Sequence, residues 1–101
     1  MEFMSWNSHI EKLKTGYDVS FRPKGNSMQG KIESGQLVTI SPDISNLKSG
    51  DIVFCKVKGS YYVHLLSAIK GKQYQISNNK GHVNGWIRIT SIFGRVVKVE
   101  P

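Results

Sequence analysis

One serine of the chain stands in a turn that would suit a nucleophile. Ser27 lies in the run Gly25-Asn26-Ser27-Met28. A serine hydroxyl attacks a carbonyl carbon at neutral pH only if a nearby base takes its proton. Glycine ahead of Ser27 permits a tight backbone and leaves room for a peptide, and the Ser27 N–H, with help from Asn26, can donate to the resulting oxyanion. Glycine and serine are also common turn formers, so the run alone favours a plain structural turn.

The chain has three histidines and one cysteine that bear on this chemistry. Histidine titrates near neutral pH and therefore needs no large pKa shift to act as a base. His9 and His82 show no metal-site spacing to carboxylates or to Cys55, and we expect them on a helix surface and in a loop. Cys55 is predicted to be a small buried hydrophobe on a strand, with no disulfide partner. We predict no metal and no cofactor.

Short strands separated by turns must position these residues. The predicted strands are Leu37 to Ile40, Ile52 to Val57, Tyr61 to Ile69, Tyr74 to Ile76, Trp86 to Ile89 and Ile92 to Val99. Turn signals separate them, such as Lys48-Ser49-Gly50-Asp51 and Lys70-Gly71-Lys72. Strands spaced so closely predict a mainly β fold, an antiparallel meander that curls on itself.

A short helix is predicted before the strands. The run Ser8-His9-Ile10-Glu11 has the spacing of a capping box, which predicts that Ser8 is the N-cap. The helix should end near Lys14, with Gly16 as its stop. Ile10 and Leu13 lie three residues apart and share one face. We therefore expect the helix to pack one side onto the sheet.

Length and composition limit the organisation of the chain. Its 101 residues can close one modest core, and 39% hydrophobic with 21% charged residues is ordinary for a globular protein. We divide it into an N-terminal helical segment, residues 1–17, and a β domain, residues 18–101, within one structural domain. No window approaches the ~20 apolar residues of a membrane span, and no secretory signal is recognisable. We predict a soluble, cytoplasmic protein that does not contact a membrane.

The positive charge is unevenly distributed. Basic and acidic residues balance in residues 1–51, so the net charge of +7 lies in residues 52–101. An acidic partner or a nucleic acid would explain this excess. We favour lysines at hairpin turns that keep the protein soluble, because the aromatic residues of this half form no recognised base-stacking motif.

Five segments follow one another along the chain in a characteristic order. They are Gly25-Asn26-Ser27-Met28 with Ile32, Gly35-Gln36 and Val38-Thr39-Ile40; Leu47-Lys48-Ser49-Gly50-Asp51-Ile52-Val53; Tyr62-Val63-His64-Leu65; Ile76-Ser77-Asn78-Asn79; and Ile92-Phe93-Gly94-Arg95-Val96-Val97. Their order and spacing resemble the LexA/signal-peptidase superfamily of serine peptidases, over roughly Val19 to Val99. The resemblance implies the small curled sheet, or partial barrel, of that superfamily.

The resemblance also implies roles for two residues. Ser27 corresponds to the nucleophile and His64 to the general base, which is a lysine in most members. A Ser-His pair is similar to that of the eukaryotic-type signal peptidases and is chemically reasonable near neutral pH. Strand alternation puts Tyr62, His64 and Leu66 on one face of their strand.

The chain departs from the superfamily pattern in two places. No aspartate follows Asp51 to orient the imidazole, so Ser77, Asn79 and Asn84 are the candidates for that role. Gly30 stands at or beside a position where the pattern commonly has proline, which affects one wall of the expected substrate cleft.

The resemblance gives two functional hypotheses. In the first, the protein is a serine peptidase that cuts another protein or peptide, bound as an added strand. We expect neither the DNA-binding domain of self-cleaving repressors before Ser27 nor the anchor of signal peptidases, and the sequence contains no Ala-Gly or Cys-Gly bond. In the second, it is a catalytically inactive module for protein interaction or assembly, of phage or mobile-element origin. Nucleic-acid binding ranks third, and the sequence predicts no oligomeric state.

Overall fold

A computed structural model describes residues 6–101. Its elements are α1 (Trp6–Lys14), β1 (Val19–Phe21), β2 (Leu37–Ser41), β3 (Ile52–Val57), β4 (Ser60–Lys70), β5 (Gln73–Ser77), β6 (Val83–Ile87), a 3₁₀ turn (Ile89–Ser91) and β7 (Ile92–Glu100). The seven strands form one antiparallel sheet that is not closed, in the order β1-β2-β7-β3-β4-β5-β6. The predicted mainly β fold class is confirmed. The division into segments 1–17 and 18–101 stays a prediction.

The sheet is a meander only from β3 to β6, because β7 inserts between β2 and β3. This insertion depends on Gly94. A Cβ atom at Gly94 would lie 2.5 Å from Ile40 Cγ2 and 2.6 Å from the Ser41 carbonyl oxygen. Glycine therefore lets β7 approach β2 closely. The spacing of strands along the sequence contains no signal for such long-range pairing, and the prediction of a continuous meander was wrong here.

Both faces of the sheet are covered by apolar clusters. The helix-side cluster consists of Ile10, Leu13, Val19, Met28, Ile32, Val38, Ile40, Phe54 and Val63. The opposite cluster consists of Val53, Cys55, Val57, Leu66, Ile76 and Ile92. Alternate residues of β3 belong to different clusters, as the pleat of a strand requires. Cys55 is fully buried, and burial raises the pKa of its thiol to about 12. It packs as the predicted small hydrophobe.

The sequence predicts the C-terminal end of α1 correctly but not its N-terminal end. The helix begins at Trp6, so Ser8 lies inside it and the prediction of Ser8 as N-cap was wrong. At the other end, Gly16 has φ +93° and the Tyr17 N–H donates to the Lys12 carbonyl at 3.1 Å. This is a Schellman-type ending, which needs a residue that tolerates positive φ. The predicted stop at Gly16 is confirmed.

The packed face of α1 is broader than expected. Ile10 and Leu13 are buried as predicted, but His9 is buried too, with 6% of its surface exposed. Its ring lies 4.7 Å from the Phe21 ring, centroid to centroid. The helix-surface position predicted for His9 was therefore wrong, because Phe21 in β1 offers it an aromatic contact that the helical spacing does not reveal.

Strand β6 begins three residues before its predicted start at Trp86. Gly85, within it, has φ +151° and faces Ile76 of β5, next to an irregularity in the register. Few residues other than glycine adopt such a backbone, so this part of the chain lacks the alternation typical of a strand. The earlier start brings Asn84 into the sheet.

Candidate active site

Ser27 lies in the loop between β1 and β2, in a succession of tight turns. Gly25 has φ +102°, in the left-handed region that glycine adopts at little cost. The Lys31 and Ile32 N–H groups donate to the Met28 carbonyl at 2.9 and 2.8 Å. Met28 and Ile32 are each 4% exposed within the helix-side cluster. Their burial fixes the turn on the core, while the Ser27 side chain stays partly exposed.

His64 occupies the middle of β4, the longest strand, opposite Val53 of β3. Ser27 Oγ and His64 Nε2 are 3.0 Å apart, within hydrogen-bonding distance. The His64 ring packs beside the Tyr62 ring, with centroids 4.6 Å apart, as expected for residues on one face of a strand. The structure therefore brings together the two residues that the resemblance singled out.

The second nitrogen of His64 faces Asn84 on β6. His64 Nδ1 and Asn84 Oδ1 are 2.7 Å apart. Because Oδ1 is an acceptor, Nδ1 carries the ring proton and donates it to Asn84. The lone pair of Nε2 is then free to accept the Ser27 hydroxyl. Of the three residues proposed to orient the imidazole, Asn84 is the one that makes this bond.

Asn79 instead contacts the loop that contains Ser27. Its backbone N–H donates to the Ser27 carbonyl, and its side-chain amide donates to the Gln29 carbonyl, both at 2.9 Å. Ser77 is buried in β5, where it pairs with Leu65. Asn79 therefore lies beside the nucleophile turn and not beside the imidazole.

Gly30 is adapted to this contact. It has φ +99°, which proline cannot adopt, and a Cβ atom there would lie 3.1 Å from Asn79 Nδ2. The departure from the superfamily pattern at Gly30 thus permits the approach of the Asn79 amide.

The electrostatic surroundings keep His64 neutral near pH 7. Burial lowers its pKa below the ordinary value of 6.5; the hydrogen bond that Nδ1–H donates to Asn84 raises the pKa, and electrostatic repulsion by His82 lowers it. Only the neutral imidazole can accept a proton, so His64 is in the form that a general base requires.

A cleft of about 330 Å³ opens beside the pair. Ser27 and His64 line it together with Met28, Ile32 and Val63 of the helix-side cluster and with Trp6 and Tyr61. No sequence pattern associates Trp6 and Tyr61 with the site, because α1 and the start of β4 meet only in the folded structure.

The remaining backbone groups of the turn also suit the chemistry. Within residues 6–101, the Ser27 N–H donates no hydrogen bond to another group of the chain. It lies next to the hydroxyl that would attack, which is where an oxyanion donor is needed. Asn26 is exposed at the preceding position.

A model of the family described as Peptidase S24-like matches residues 2–97. The chain belongs to the Peptidase S24-like family. The match confirms the resemblance to the LexA/signal-peptidase superfamily over nearly the whole chain. A search of the curated proteins gives no match. Family membership establishes a peptidase-like fold for this Peptidase S24-like protein, and the geometry of its own residues is the basis for the activity proposed below.

Three further observations concern the chain outside the cleft. The structure shows no group of three or more His, Cys, Asp or Glu residues between positions 6 and 101 that could hold a metal ion. His82 is exposed in the loop before β6. None of the helices in the described part of the chain is long and apolar enough to cross a membrane.

Proposed function

We propose that this Peptidase S24-like protein is a serine endopeptidase, with Ser27 as nucleophile and His64 as general base. The observation that supports this most is the continuous arrangement of Ser27 Oγ, His64 and Asn84. The two contacts, 3.0 and 2.7 Å long, involve both ring nitrogens of one imidazole.

Ser27 Oγ attacks the carbonyl carbon of the scissile bond while His64 Nε2 takes its proton. The carbonyl oxygen becomes an oxyanion, to which the Ser27 N–H donates a hydrogen bond. The imidazolium then gives its proton to the leaving amine, and an ester between Ser27 and the substrate acyl group remains. His64 next deprotonates a water molecule that hydrolyses this ester and restores the hydroxyl.

Asn84 takes the place that a carboxylate has in a Ser-His-Asp triad. Its Oδ1 fixes the tautomer of His64 and the orientation of the ring, but it supplies no negative charge to stabilise the imidazolium. The proposed His64 is therefore a less effective proton acceptor than a histidine supported by aspartate. An asparagine in this position is similar to that of the Cys-His-Asn arrangement in papain-like enzymes.

We propose that the substrate is another protein or peptide, bound along the cleft as an extended strand. The sequence contains neither an Ala-Gly nor a Cys-Gly pair, since Ala68 precedes Ile69 and Cys55 precedes Lys56. It thus lacks the bonds that are typical of self-cleavage in related repressors. We further propose a cytoplasmic location, which the single buried thiol of Cys55 suits.

The proposal is tested with a fluorophosphonate probe, which reacts with activated serines, and with digestion of a peptide library. The wild-type protein should become labelled and cut peptides, whereas Ser27→Ala should do neither. Ser20→Ala is the matched control, because Ser20 is exposed in β1 and hydrogen-bonds to Thr39; it should behave as wild type. If the folded wild-type protein is neither labelled nor active, the peptidase proposal fails and the inactive interaction module takes its place.

A further inference from the structure

The cleft beside Ser27 has an aromatic wall that the proposed reaction does not use. Trp6 of α1 and Tyr61 of β4 lie with ring centroids 5.7 Å apart and planes inclined by 23°. Trp6 remains 39% exposed although it also packs against two phenylalanine rings, Phe21 at 5.5 Å and Phe54 at 5.3 Å. These contacts hold the indole in place before any ligand arrives, so an incoming side chain would meet a preformed apolar surface.

The size of the cleft indicates what it would accept. Its volume of about 330 Å³ lies at the lower end of the ~300–1,000 Å³ found for small-molecule sites. The methyl side chain of alanine would leave most of this space to water. A bulky apolar side chain would fill it and contact Trp6 and Tyr61 as well as Met28.

Charge restricts the occupant further. Among the described residues that line the cleft, Lys24 is the one charged side chain. The Lys56 ammonium group lies 5.1 Å from the centre of the Tyr61 ring. A substrate lysine or arginine entering the cleft would meet charges of its own sign and no carboxylate.

We propose that the wall formed by Trp6 and Tyr61 is a specificity subsite. It selects peptides that carry a bulky apolar, preferably aromatic, side chain close to the bond that is cut, and it disfavours lysine and arginine there. The inference rests on the proposed peptidase function, since it assigns the cleft to the substrate of Ser27. It also predicts a preference different from the small residues at the cleavage sites of related repressors.

Binding is measured first, with the Ser27→Ala variant, so that the peptide stays intact. The probes are acetylated, amidated hexapeptides of alanine in which one residue, at each position in turn, is phenylalanine or lysine, and the all-alanine peptide is the reference. In calorimetric titration, the best phenylalanine peptide should bind at least about tenfold more tightly than the reference. No lysine peptide should bind more tightly than the reference.

Added to Ser27→Ala, Trp6→Ala should remove most of the phenylalanine preference, measured as the ratio of the dissociation constants of the reference peptide and the phenylalanine peptide. Trp6→Phe should keep most of it. Trp86→Ala is the control, because Trp86 is 43% exposed on β6 and does not line the cleft. Since Trp6 also packs against Phe54, circular dichroism must show that each variant is folded, and Tyr61→Leu provides a second test if Trp6→Ala is not.

Equal binding of the phenylalanine and alanine peptides by the folded protein would overturn the subsite. So would a preference that survives in the folded Trp6→Ala variant or, if that variant does not fold, in the folded Tyr61→Leu variant. A second measurement, cleavage of the same peptides by the protein with Ser27 intact, distinguishes failure of the subsite from failure of the proposed function. If phenylalanine peptides are bound selectively but never cut, the peptidase proposal fails and the wall formed by Trp6 and Tyr61 remains only as a binding site for apolar side chains; if peptides are cut without preference, the subsite fails and the peptidase proposal stands.

Discussion

Two histidines of this protein are equally buried but lie in very different surroundings. His9 in α1 and His64 in β4 are each 6% exposed, and burial is the main cause that lowers the pKa of both. The His9 ring lies against aromatic rings, with its centroid 4.7 Å from that of Phe21 and 6.2 Å from that of Trp6. His64 instead has a polar side chain at hydrogen-bonding distance from each of its ring nitrogens.

The comparison shows that burial alone does not make a histidine a base. Burial keeps both imidazoles neutral, but it determines neither the position of the ring proton nor the group that the free nitrogen faces. In His64, the hydrogen bond to Asn84 places the ring proton on Nδ1, and the free Nε2 faces the Ser27 hydroxyl. His9 acts as a packing residue between helix and sheet, and a lowered pKa there indicates no chemistry.

Replacing each histidine by glutamine should separate the two roles. His64→Gln removes the proton acceptor and should lower kcat/KM at least about 10³-fold. His9→Gln leaves the pair intact, so kcat/KM should stay within about tenfold, while loss of ring packing lowers the free energy of unfolding by about 1 kcal/mol or more. Peptide hydrolysis and urea unfolding measure the two effects. A fall in kcat/KM of the same size in both folded variants would contradict the comparison.

The sequence allowed the fold and the central pair to be predicted because their signals are local or follow one another in order. The turn at Gly25, the short β-rich runs and the helix stop at Gly16 each depend on neighbouring residues. The order of the motifs then indicated that His64 is the base for Ser27, although the two residues are 37 positions apart in the sequence. Only the folded structure supplies the distance between them.

What could not be predicted depends on contacts between distant parts of the chain. Asn84 was one of three candidates, and choosing among them requires knowledge of the irregular register next to Gly85, near the start of β6. The insertion of β7 beside β2 depends on the close approach at Gly94. Trp6 reaches the cleft only because α1 packs across the sheet.

Loss of a polar contact near Ser27 should affect the reaction more than the fold. Asn79→Ala removes the amide that donates to the Gln29 carbonyl, so the nucleophile turn should become less well positioned against His64. We expect kcat to fall about 10- to 100-fold with little change in KM, and the pH at which activity rises to stay unchanged. Asn46→Ala, in an exposed turn, is the control. An unchanged kcat, or a loss explained by unfolding, would refute a positioning role for Asn79.

Asn84→Asp should produce the smallest effect, a shift in pH dependence. The aspartate would place a negative charge beside Nδ1–H and favour the imidazolium, so the pKa of His64 should rise by about one unit. His64 acts as a base only when unprotonated; activity therefore rises with pH through this pKa, which lies below 6.5 in the wild type. The rise in kcat/KM should move to higher pH by the same amount. At pH values above this rise, the activity of Asn84→Asp should equal or exceed that of the wild type.

The control is Asn84→Ala, which adds no charge and should lower activity without shifting the rise to higher pH. A pH profile of Asn84→Asp identical to that of the wild type would mean that Asn84 does not act on His64.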